Sequence, residues 1–332
     1  MENMKIYDTV IIGSGPAGMS AAIYAARAEL DFCIIEKSYA SGGQVLSTYE
    51  VDNYPGLPGL SGGELSDHFK KHCDKLGCPF ITADITDITP GRIAPNGFFN
   101  EINPAKEGLD SVNDLIFMLT STEGEAFLTK TVIAATGASH KKAGIDGEDD
   151  FAGVGVSYCA TCDGAFFRKK DTAVIGGGDV ALEDAIFLSR LCNKVYIIHR
   201  RDTFRAAKSL VSKADAIDNI EFVFDSVSKK ISGTTNVEAL TVKNVINGTE
   251  RTIPVSGVFV AIGITPATGL FSSLVACDEA GYIIADESGK TSMPGIFVAG
   301  DIRKKPLRQI ITAAADGANC ITSVEGYLAQ SF

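Results

Sequence analysis

The sequence lacks a long hydrophobic run and a leader-like start. Its first apolar run, residues 9–18, is broken by glycines and is far too short to cross a bilayer. No basic segment followed by an apolar stretch and a small-residue cleavage site opens the chain. We therefore expect a cytoplasmic protein that does not enter a membrane.

Basic residues are outnumbered by acidic ones, and the cysteines are scattered along the chain. The formal net charge is −11, from 30 Lys and Arg against 41 Asp and Glu. Because neutralising phosphates needs a basic face, this balance argues against a nucleic-acid partner. The eight cysteines are scattered, which is unlike a secreted disulfide framework. The 332 residues are enough for two globular domains, each with its own core.

A glycine-rich segment near the start predicts a nucleotide-binding fold. An apolar strand at residues 9–12 leads into Gly13-Ser14-Gly15-Pro16-Ala17-Gly18 and an alanine-rich helix at 19–28. The glycines permit a tight turn, and the helix start offers unpaired N–H groups to a pyrophosphate. A second strand ends at Glu36, 36 − 13 = 23 residues after Gly13, where a carboxylate suits ribose hydroxyls.

The same pattern recurs in the middle of the chain with a different ending. A strand at residues 172–175 leads into Gly176-Gly177-Gly178-Asp179-Val180-Ala181 and an amphipathic helix. At the matching offset, 199 − 176 = 23, His199 replaces the carboxylate, and three arginines follow: Arg200, Arg201 and Arg205. Arginine pairs with phosphate through charge-assisted hydrogen bonds, whereas a carboxylate would repel it. The first fold therefore suits FAD, and the second suits NADPH with its 2′-phosphate.

Further strand ends predict how the two folds are nested. Residues 130–139 and 257–266 are apolar strands that end in glycine, and they are suitable places for the chain to leave and re-enter one domain. Residues 291–302 form a strand ending in Gly300-Asp301, and a helix follows at about 308–317. The aspartate could bond ribityl or phosphate-side hydroxyls.

We predict an α/β fold of two Rossmann-like, three-layer dinucleotide-binding domains. Residues 1–141 and 264–332 would form a discontinuous FAD-binding domain. Residues 142–263 would be the inserted NADPH-binding domain, which carries the Cys-x-x-Cys sequence.

The stretch Cys159-Ala160-Thr161-Cys162-Asp163 is best explained as a redox dithiol. A metal site would need two further ligands at compatible spacing, and none lies nearby. A structural staple is a poor explanation because so short a loop closes little chain entropy. A Cys-x-x-Cys pair beside two nucleotide folds instead indicates thiol–disulfide chemistry. Asp163 is the nearest candidate acid or base for the sulfurs. The alternative is a structural role as the N-cap of a helix.

The chain resembles the low-molecular-weight thioredoxin reductases of the two-dinucleotide-binding-domain flavoproteins over nearly its full length. The motifs that carry the resemblance are GSGPAG (13–18), GGQ (42–44), CATCD (159–163), GGGDVALED (176–184), HRRDTFRA (199–206), AIGITP (261–266), AGD (299–301) and RQ (308–309). Placement of the cysteine pair in the inserted domain is the most specific feature. In the glutathione-reductase branch the pair lies near the N-terminus, and residues 36–50 here hold no cysteine. That branch also uses a histidine near the C-terminus, where this chain has none.

The resemblance implies roles for individual residues. Cys162 would face the flavin as the charge-transfer thiolate, and Cys159 would attack the disulfide of thioredoxin. The implied FAD-binding residues are Gly13, Gly15, Pro16, Ala17, Gly18, Glu36, Lys37, Gly43, Gln44, Asn53, Thr136, Gly137, Gly300, Asp301, Arg308, Gln309 and Ile310. The implied NADPH-binding residues are Gly176, Gly178, Asp179, Val180, Ala181, His199, Arg200, Arg201, Arg205, Ile262 and Gly263. The resemblance also implies a homodimer and rotation of the two domains between half-reactions.

Several alternatives remain open at this point. A ferredoxin-dependent reductase or a dithiol oxidase of the same fold should lack the arginine cluster. The disulfide partner could be a glutaredoxin-like or peroxidase-linked protein instead of thioredoxin. A non-catalytic flavin-binding redox sensor would need neither a hydride-donor site nor Asp163.

Two other stretches have simpler interpretations. Residues 89–114 are rich in Gly, Pro and Asn and are expected to be a tolerated surface insertion, with partner docking as the alternative. His68 and His72, near Cys73 and Cys78, have a spacing that could hold a metal. A helix end with exposed histidines is the preferred interpretation, and we predict no metal site. Four single cysteines are expected to be small core residues: Cys33, Cys192, Cys277 and Cys320.

Overall fold

The structure, a computed structural model, describes residues 4–48, 50–95, 97–103 and 115–331. Its strands are β1 (Ile6–Ile12), β2 (Phe32–Glu36), β3 (Phe80–Thr82), β4 (Ile85–Ile93), β5 (Phe99–Glu101), β6 (Ile116–Ser121), β7 (Ala126–Ala134), β8 (Ala138–His140), β9 (Val156–Ser157), β10 (Asp171–Ile175), β11 (Lys194–Ile198), β12 (Ile220–Val223), β13 (Ser226–Gly233), β14 (Val237–Asn244), β15 (Glu250–Pro254), β16 (Gly257–Val260), β17 (Ile264–Pro266) and β18 (Ile296–Val298). Its helices are α1 (Pro16–Arg27), α2 (Gly62–Lys75), α3 (Ala160–Asp163), α4 (Asp179–Leu188), α5 (Lys208–Asp215) and α6 (Ile310–Ser331).

The chain folds into two compact units. The first consists of Met1–Leu46, Leu60–Ser139 and Thr265–Phe332, and the second of Ser47–Gly59 and His140–Ile264. Each unit is built on a sheet with parallel strands and helices, which confirms the predicted α/β fold class. No helix within the described ranges is long and apolar enough to cross a membrane.

The sheet of the first unit has the strand order β3-β2-β1-β7-β6-β4-β5. Strand β7 is shared along its length: β6 pairs antiparallel with its first half, and β18 pairs parallel with its last three residues. Strands β1, β2, β7 and β18 are mutually parallel, so their carboxyl ends meet at one edge of the sheet. One face of β1 packs on a cluster that includes Leu119 and Phe271, and the other on α1 and α6.

The second unit has a fully parallel sheet in the order β12-β11-β10-β16-β9 and a separate antiparallel sheet, β13-β14-β15. Strand β10 is central and reads Thr172-Ala-Val-Ile175, with every one of these residues buried. A run that is apolar on both faces is typical of a parallel strand covered on both sides. Here Val174 packs toward α4, while Ala173 and Ile175 pack toward the antiparallel sheet.

Helix α6 is longer than the sequence indicated, since it runs from Ile310 to Ser331 instead of ending near residue 317. Gly317 lies inside this helix and serves its packing against α1. A Cβ atom added at Gly317 would lie 2.1 Å from the Ala17 carbonyl oxygen and 2.8 Å from the Ala21 nitrogen. The glycine therefore permits the close crossing of α1 and α6, and it does not end the helix.

Residues 89–114, expected to be a surface insertion, are described in part: they include the end of β4 and the edge strand β5, and 104–114 lie outside the described residues. One other expectation needed correction. Cys277 is half-buried and not a core residue, unlike Cys33, Cys192 and Cys320. It lies on an irregular segment that bridges to Ile283, and it packs against the edge of the first unit's core.

The contact at Gly317 leads to a test with a matched control in the same helix. We expect Gly317→Ala to lower the free energy of unfolding by about 1–3 kcal/mol, because the added methyl group pushes α6 away from α1. Gly326→Ala has open space around its Cβ and should stabilise the helix by up to about 1 kcal/mol. Thermal unfolding of the two variants measures both effects. Equal midpoints would show that the crossing tolerates a methyl group.

Candidate active site

Cys159 and Cys162 form a disulfide, with their Cα atoms 5.3 Å apart. The pair follows β9 at the edge of the parallel sheet, where Ser157 is paired with Phe259 of β16. Cys159 is the extended residue before α3, and Cys162 lies within that short helix. Both cysteines are half-buried. A disulfide that is neither deeply buried nor part of a long loop agrees with thiol–disulfide exchange, for which the sulfurs must be reached.

Asp163 adjoins the disulfide and is held by Ser157, whose hydroxyl donates to Asp163 Oδ2 at 2.5 Å. Its other oxygen, Oδ1, is buried and has no hydrogen-bond partner among the described residues. Burial raises the pKa of Asp163, and the Ser157 hydrogen bond lowers it in part. The side chain makes no capping bond to the 3₁₀ turn Gly164–Phe167 that follows, so the N-cap alternative is wrong.

A second carboxylate, Glu148, anchors the segment that leads to the cysteines. Although Glu148 is only 2% exposed, it accepts the backbone N–H groups of Ala143 and Gly144 at 2.9 and 2.7 Å. It also accepts the Tyr158 hydroxyl at 2.9 Å. Burial, together with this carboxylate, raises the pKa of Tyr158, so the phenol stays a donor. The ring of Tyr158 stacks on His140, whose pKa is lowered by burial.

The glycine-rich loop of the second unit lies at the same edge of its sheet. A Cβ at Gly176 would lie 2.4 Å from the Ala261 carbonyl oxygen, and a Cβ at Gly177 would lie 2.1 Å from His199 Nδ1. Gly178 has open space around it and precedes the first turn of α4. Asp179 in that turn is exposed and accepts the Ala207 N–H at 2.7 Å. Free backbone at a helix start beside open space is suited to a pyrophosphate.

The residues after β11 form a positively charged surface beside this loop. His199 is buried, and its Nε2 lies 3.0 Å from the Thr203 carbonyl oxygen. Burial lowers the pKa of His199, and the charges of Arg201 and Arg205 lower it further, so the ring is neutral near pH 7. Arg200, Arg201 and Arg205 are exposed, and none forms an ion pair within the described part of the chain. Val180, Ile262 and Gly263 are also exposed at this edge.

In the first unit the GSGPAG loop is closed by contacts that only glycine allows. Gly13 has a φ of +104°, and a Cβ there would lie 2.4 Å from the Ala135 carbonyl oxygen. A Cβ at Gly18 would lie 1.9 Å from the Gly13 carbonyl oxygen. Ser14 donates its backbone N–H and its hydroxyl to Glu36 Oε2 at 2.9 and 2.8 Å. The Glu36 carboxylate is thus fixed at the end of β2, and it retains acceptor capacity for ribose hydroxyls.

The Gly300–Asp301 turn is held by a buried ionic cluster behind it. Asp316 in α6 accepts the Gly300 N–H at 2.9 Å and pairs with Arg303 at 2.9 Å and Lys305 at 2.7 Å. All three charged side chains are at least 95% buried. Burial raises the pKa of Asp301, and its Oδ1 is a buried atom without a partner among the described residues. An orphaned acceptor at this edge is suited to a ligand hydroxyl.

The other predicted FAD residues are spread over the first unit, with one exception. Gly15, Pro16 and Ala17 form the loop and first turn of α1, and Gly43 follows close to Gly15. Gln44 Nε2 donates to the Ala138 carbonyl, and Thr136 Oγ1 donates to the Ala267 carbonyl at 2.8 Å. The guanidinium carbon of Arg308 lies 3.9 Å from the centre of the Tyr282 ring. Gln309 precedes α6 and Ile310 begins it, Gly137 has a φ of +70°, and Lys37 is exposed. Asn53 is exposed in a segment that folds with the second unit.

Comparisons with known proteins agree with this geometry. Residues 7–317 match the family model described as pyridine nucleotide-disulphide oxidoreductase. A protein of Listeria innocua named thioredoxin reductase is 39% identical over 327 residues, covering 98% of this chain and 95% of its own length. One of Bacillus subtilis with the same name is 38% identical, covering 99% and 97%. A solved structure of thioredoxin reductase from Streptococcus pyogenes is 40% identical, with a TM-score of 0.88, covering 99% of this chain and all of the other.

The chain therefore belongs to the pyridine nucleotide-disulphide oxidoreductase family. Its cofactors are FAD and NADPH. The residues present fit both groups: two loops are closed by contacts that exclude side chains, and Asp301 offers an orphaned buried acceptor. Where the first unit places Glu36, the second places His199 with three arginines around it, as a 2′-phosphate requires.

Several residues that support the site were not predicted from the sequence. Ser14 anchors Glu36, Ser157 anchors Asp163, and Glu148 anchors Tyr158. Asp316 could have been noticed as a single charge inside the small-residue segment ITAAADGAN, which is otherwise uncharged. The serines carry no comparable signal, because a serine near a glycine or a strand end is common. His68 and His72 are exposed on α2, and no group of three or more potential metal ligands occurs among the residues described.

The ionic cluster behind Gly300 leads to a stability test. We expect Asp316→Asn to lower the free energy of unfolding by about 3–5 kcal/mol, because it removes the buried carboxylate that pairs with both Arg303 and Lys305. Glu287→Gln is the control: Glu287 pairs with the same Arg303 at 3.1 Å, but its side chain is 82% exposed. That change should cost less than about 1 kcal/mol. Thermal unfolding and flavin retention on gel filtration are the measurements, and equal losses in the two variants would contradict the prediction.

Proposed function

We propose that the chain is an NADPH-dependent thioredoxin-disulfide reductase. The observation that carries this proposal is the Cys159–Cys162 disulfide, with the half-buried Asp163 next to it, at the sheet edge of the unit that also holds the arginine cluster. The relatives reported above carry the name thioredoxin reductase and match the whole chain. Residues 1–141 and 264–332 would bind FAD, and residues 142–263 would bind NADPH.

The two dinucleotides would be held by different polar groups. For FAD we assign the GSGPAG loop with Glu36 and Lys37, the segments at Gly43, Gln44 and Asn53, at Thr136 and Gly137, at Gly300 and Asp301, and at Arg308, Gln309 and Ile310. For NADPH we assign Gly176, Gly178, Asp179, Val180 and Ala181, the basic surface at His199, Arg200, Arg201 and Arg205, and Ile262 with Gly263. When bound, FAD accepts a hydride from NADPH and makes the electron pair available to a disulfide.

The protein residues then carry out two thiol–disulfide exchanges. In the reduced state the Cys159 thiolate attacks one sulfur of the thioredoxin disulfide. A Cys159–thioredoxin S–S bond forms, and the leaving thioredoxin sulfur takes a proton. Cys162 next attacks Cys159 Sγ, which restores the Cys159–Cys162 disulfide and releases the second thioredoxin thiol. Two electrons and two protons thus pass to thioredoxin, and Asp163 is the group placed to exchange those protons.

Assembly and location belong to the same proposal. The family resemblance supports a homodimer formed through the FAD-binding domains and rotation of the domains between half-reactions. The acidic net charge of −11 supports the absence of a nucleic-acid partner, and the lack of a long hydrophobic run supports the absence of a membrane partner. The scattered cysteines, unlike a secreted disulfide framework, favour a cytoplasmic location.

Cofactor preference tests the arginine cluster directly. In anaerobic titrations followed by flavin absorbance, NADPH should bleach the flavin at far lower concentration than NADH. The double substitution Arg200→Ala with Arg201→Ala should weaken the binding of NADPH by roughly 10- to 100-fold per lost charge-assisted contact. The binding of NADH should stay unchanged. Arg190→Ala, an exposed arginine at the end of α4, is the control. If neither nucleotide reduces the flavin, reduced ferredoxin is the donor to test.

Substitution of the cysteines separates an enzyme from a redox sensor. Cys159→Ser and Cys162→Ser should each abolish NADPH-dependent reduction of thioredoxin disulfide, because Cys159 forms the mixed disulfide and Cys162 resolves it. Reduction of the flavin by NADPH should persist in both variants. The Cys192→Ser variant, which changes a buried thiol elsewhere in the same unit, should keep both activities. A wild-type protein that reduces neither thioredoxin nor a glutaredoxin-like disulfide would fit the sensor alternative.

A further inference from the structure

The Ser157 side chain connects the two chemically important residues of the redox site. Its hydroxyl lies 2.5 Å from Asp163 Oδ2, 3.1 Å from the backbone nitrogen of Cys159 and 3.3 Å from the Cys159 carbonyl oxygen. Ser157 is 5% exposed and is the last residue of β9, so the sheet fixes its backbone through the pairing with Phe259. Its position is therefore set by a rigid element and not by the loop that carries the cysteines.

The directions of these hydrogen bonds follow from counting donors. Ser157 has one hydroxyl hydrogen, and the carboxylate oxygen at 2.5 Å is both closer and more negative than the carbonyl oxygen at 3.3 Å. The hydrogen therefore points to Asp163, and the hydroxyl oxygen accepts the Cys159 N–H. The Cys159 carbonyl is already satisfied by the N–H groups of Cys162 and Asp163 at 3.3 and 3.1 Å. The result is a chain from Cys159 N–H through Ser157 to Asp163.

This arrangement divides the work of the two carboxyl oxygens. Oδ2 is held by Ser157, while Oδ1 is buried and has no partner among the described residues. Burial favours the protonated carboxyl, and the serine bond favours the carboxylate, so the Asp163 pKa is raised less than burial alone would raise it. Without the hydroxyl, Asp163 would lose both its fixed position and its stabilised charged form.

Other titratable groups near α3 act differently. Helix α4, which packs against α3, carries Asp179, Glu183 and Asp184, and none of them contributes to the Asp163 shift. Burial and the charge of Glu183 raise the pKa of Asp184 to about 7, so Asp184 titrates independently in the same region. The 3₁₀ turn Gly164–Phe167 carries no titratable side chain. Tyr158 adjoins the redox pair in the sequence, and the two thiols of the pair also titrate once reduced.

We propose that Ser157 is a positioning residue of the redox site: it holds Asp163 Oδ2, ties it to the backbone of Cys159, and leaves Oδ1 as the oxygen that exchanges protons with the sulfurs. The inference deepens the proposed function and rests on it, since it assigns the group that sets the geometry and protonation of the proposed acid. It also predicts that Ser157 acts only through Asp163.

The test uses the flavin-loaded full chain in four forms: wild type, Ser157→Ala, Ser157→Thr and Asp163→Asn. Infrared titration of the oxidised proteins follows the carboxylic acid band that is absent in Asp163→Asn, which separates Asp163 from Asp184. Its midpoint should move to higher pH in Ser157→Ala and stay at the wild-type value in Ser157→Thr. This measurement needs no turnover and reports the hydroxyl itself.

Kinetics complete the test with a double mutant. At pH 7, Ser157→Ala should slow the oxidation of the reduced dithiol by thioredoxin disulfide about tenfold, the equivalent of one hydrogen bond to a charged group. The basic limb of the rate–pH profile should move to higher pH in Ser157→Ala, because protonated Asp163 persists to higher pH. On the Asp163→Asn background the same change should have no further effect.

The outcomes are distinguishable. An unchanged infrared midpoint in Ser157→Ala, or a tenfold loss that persists on the Asp163→Asn background, would overturn the inference. If the midpoint moves as expected but the wild type fails to reduce thioredoxin, the proposed function is wrong while the position of Ser157 stands. A shifted midpoint that Ser157→Thr restores, together with non-additive rates, supports both.

Discussion

The parallel register of the two sheets is the constraint on which the sites depend. In the first unit Ile12 is in register with Ile35 and Ala134, and Ala134 is in register with Val298. Parallel strands that end together deliver their following residues to one edge, although those residues are far apart in the sequence. In the second unit the same rule brings Gly176, His199, Ala261 and Tyr158 to one edge. β9 is the edge strand of this sheet and runs parallel to its neighbour β16. The redox pair that follows β9 therefore lies at the same edge of the sheet as the glycine-rich loop at Gly176.

A common device stabilises the carboxylates that these edges bring together. Each carboxylate accepts a hydrogen bond from a fixed donor: Glu36 from Ser14, Asp163 from Ser157, and Asp316 from the Gly300 N–H. A buried carboxylate without such donors would be protonated or would be driven to the surface. The number of donors differs between the carboxylates of the second unit. Glu148 accepts three backbone N–H groups and a phenol and is a fixed anchor. Asp163 has a single hydroxyl donor, and burial raises its pKa.

The sequence predicted most of this architecture because its signals are local. The strand–glycine–helix patterns at residues 13 and 176, the matching 23-residue offsets and the Cys-x-x-Cys sequence each occupy one continuous stretch. What escaped prediction depends on tertiary contact. Gly317 looks like a helix end until α1 is seen to lie 2.1 Å from its Cβ position. Ser157 and Asp316 act on residues to which no sequence pattern connects them, and the surroundings of Cys277 follow from a single bridge.

The burial of three other cysteines favours exchange chemistry at one pair. Burial raises the pKa of Cys33 and of Cys320 to about 12 and also raises that of Cys192, so these thiols stay protonated at neutral pH. A protonated, buried thiol neither attacks a disulfide nor offers a sulfur to attack. Cys159 and Cys162 alone combine partial exposure, mutual contact and an adjacent carboxyl group. Packing in both units therefore keeps Cys33, Cys192 and Cys320 out of exchange chemistry, and this favours reaction at the more accessible pair.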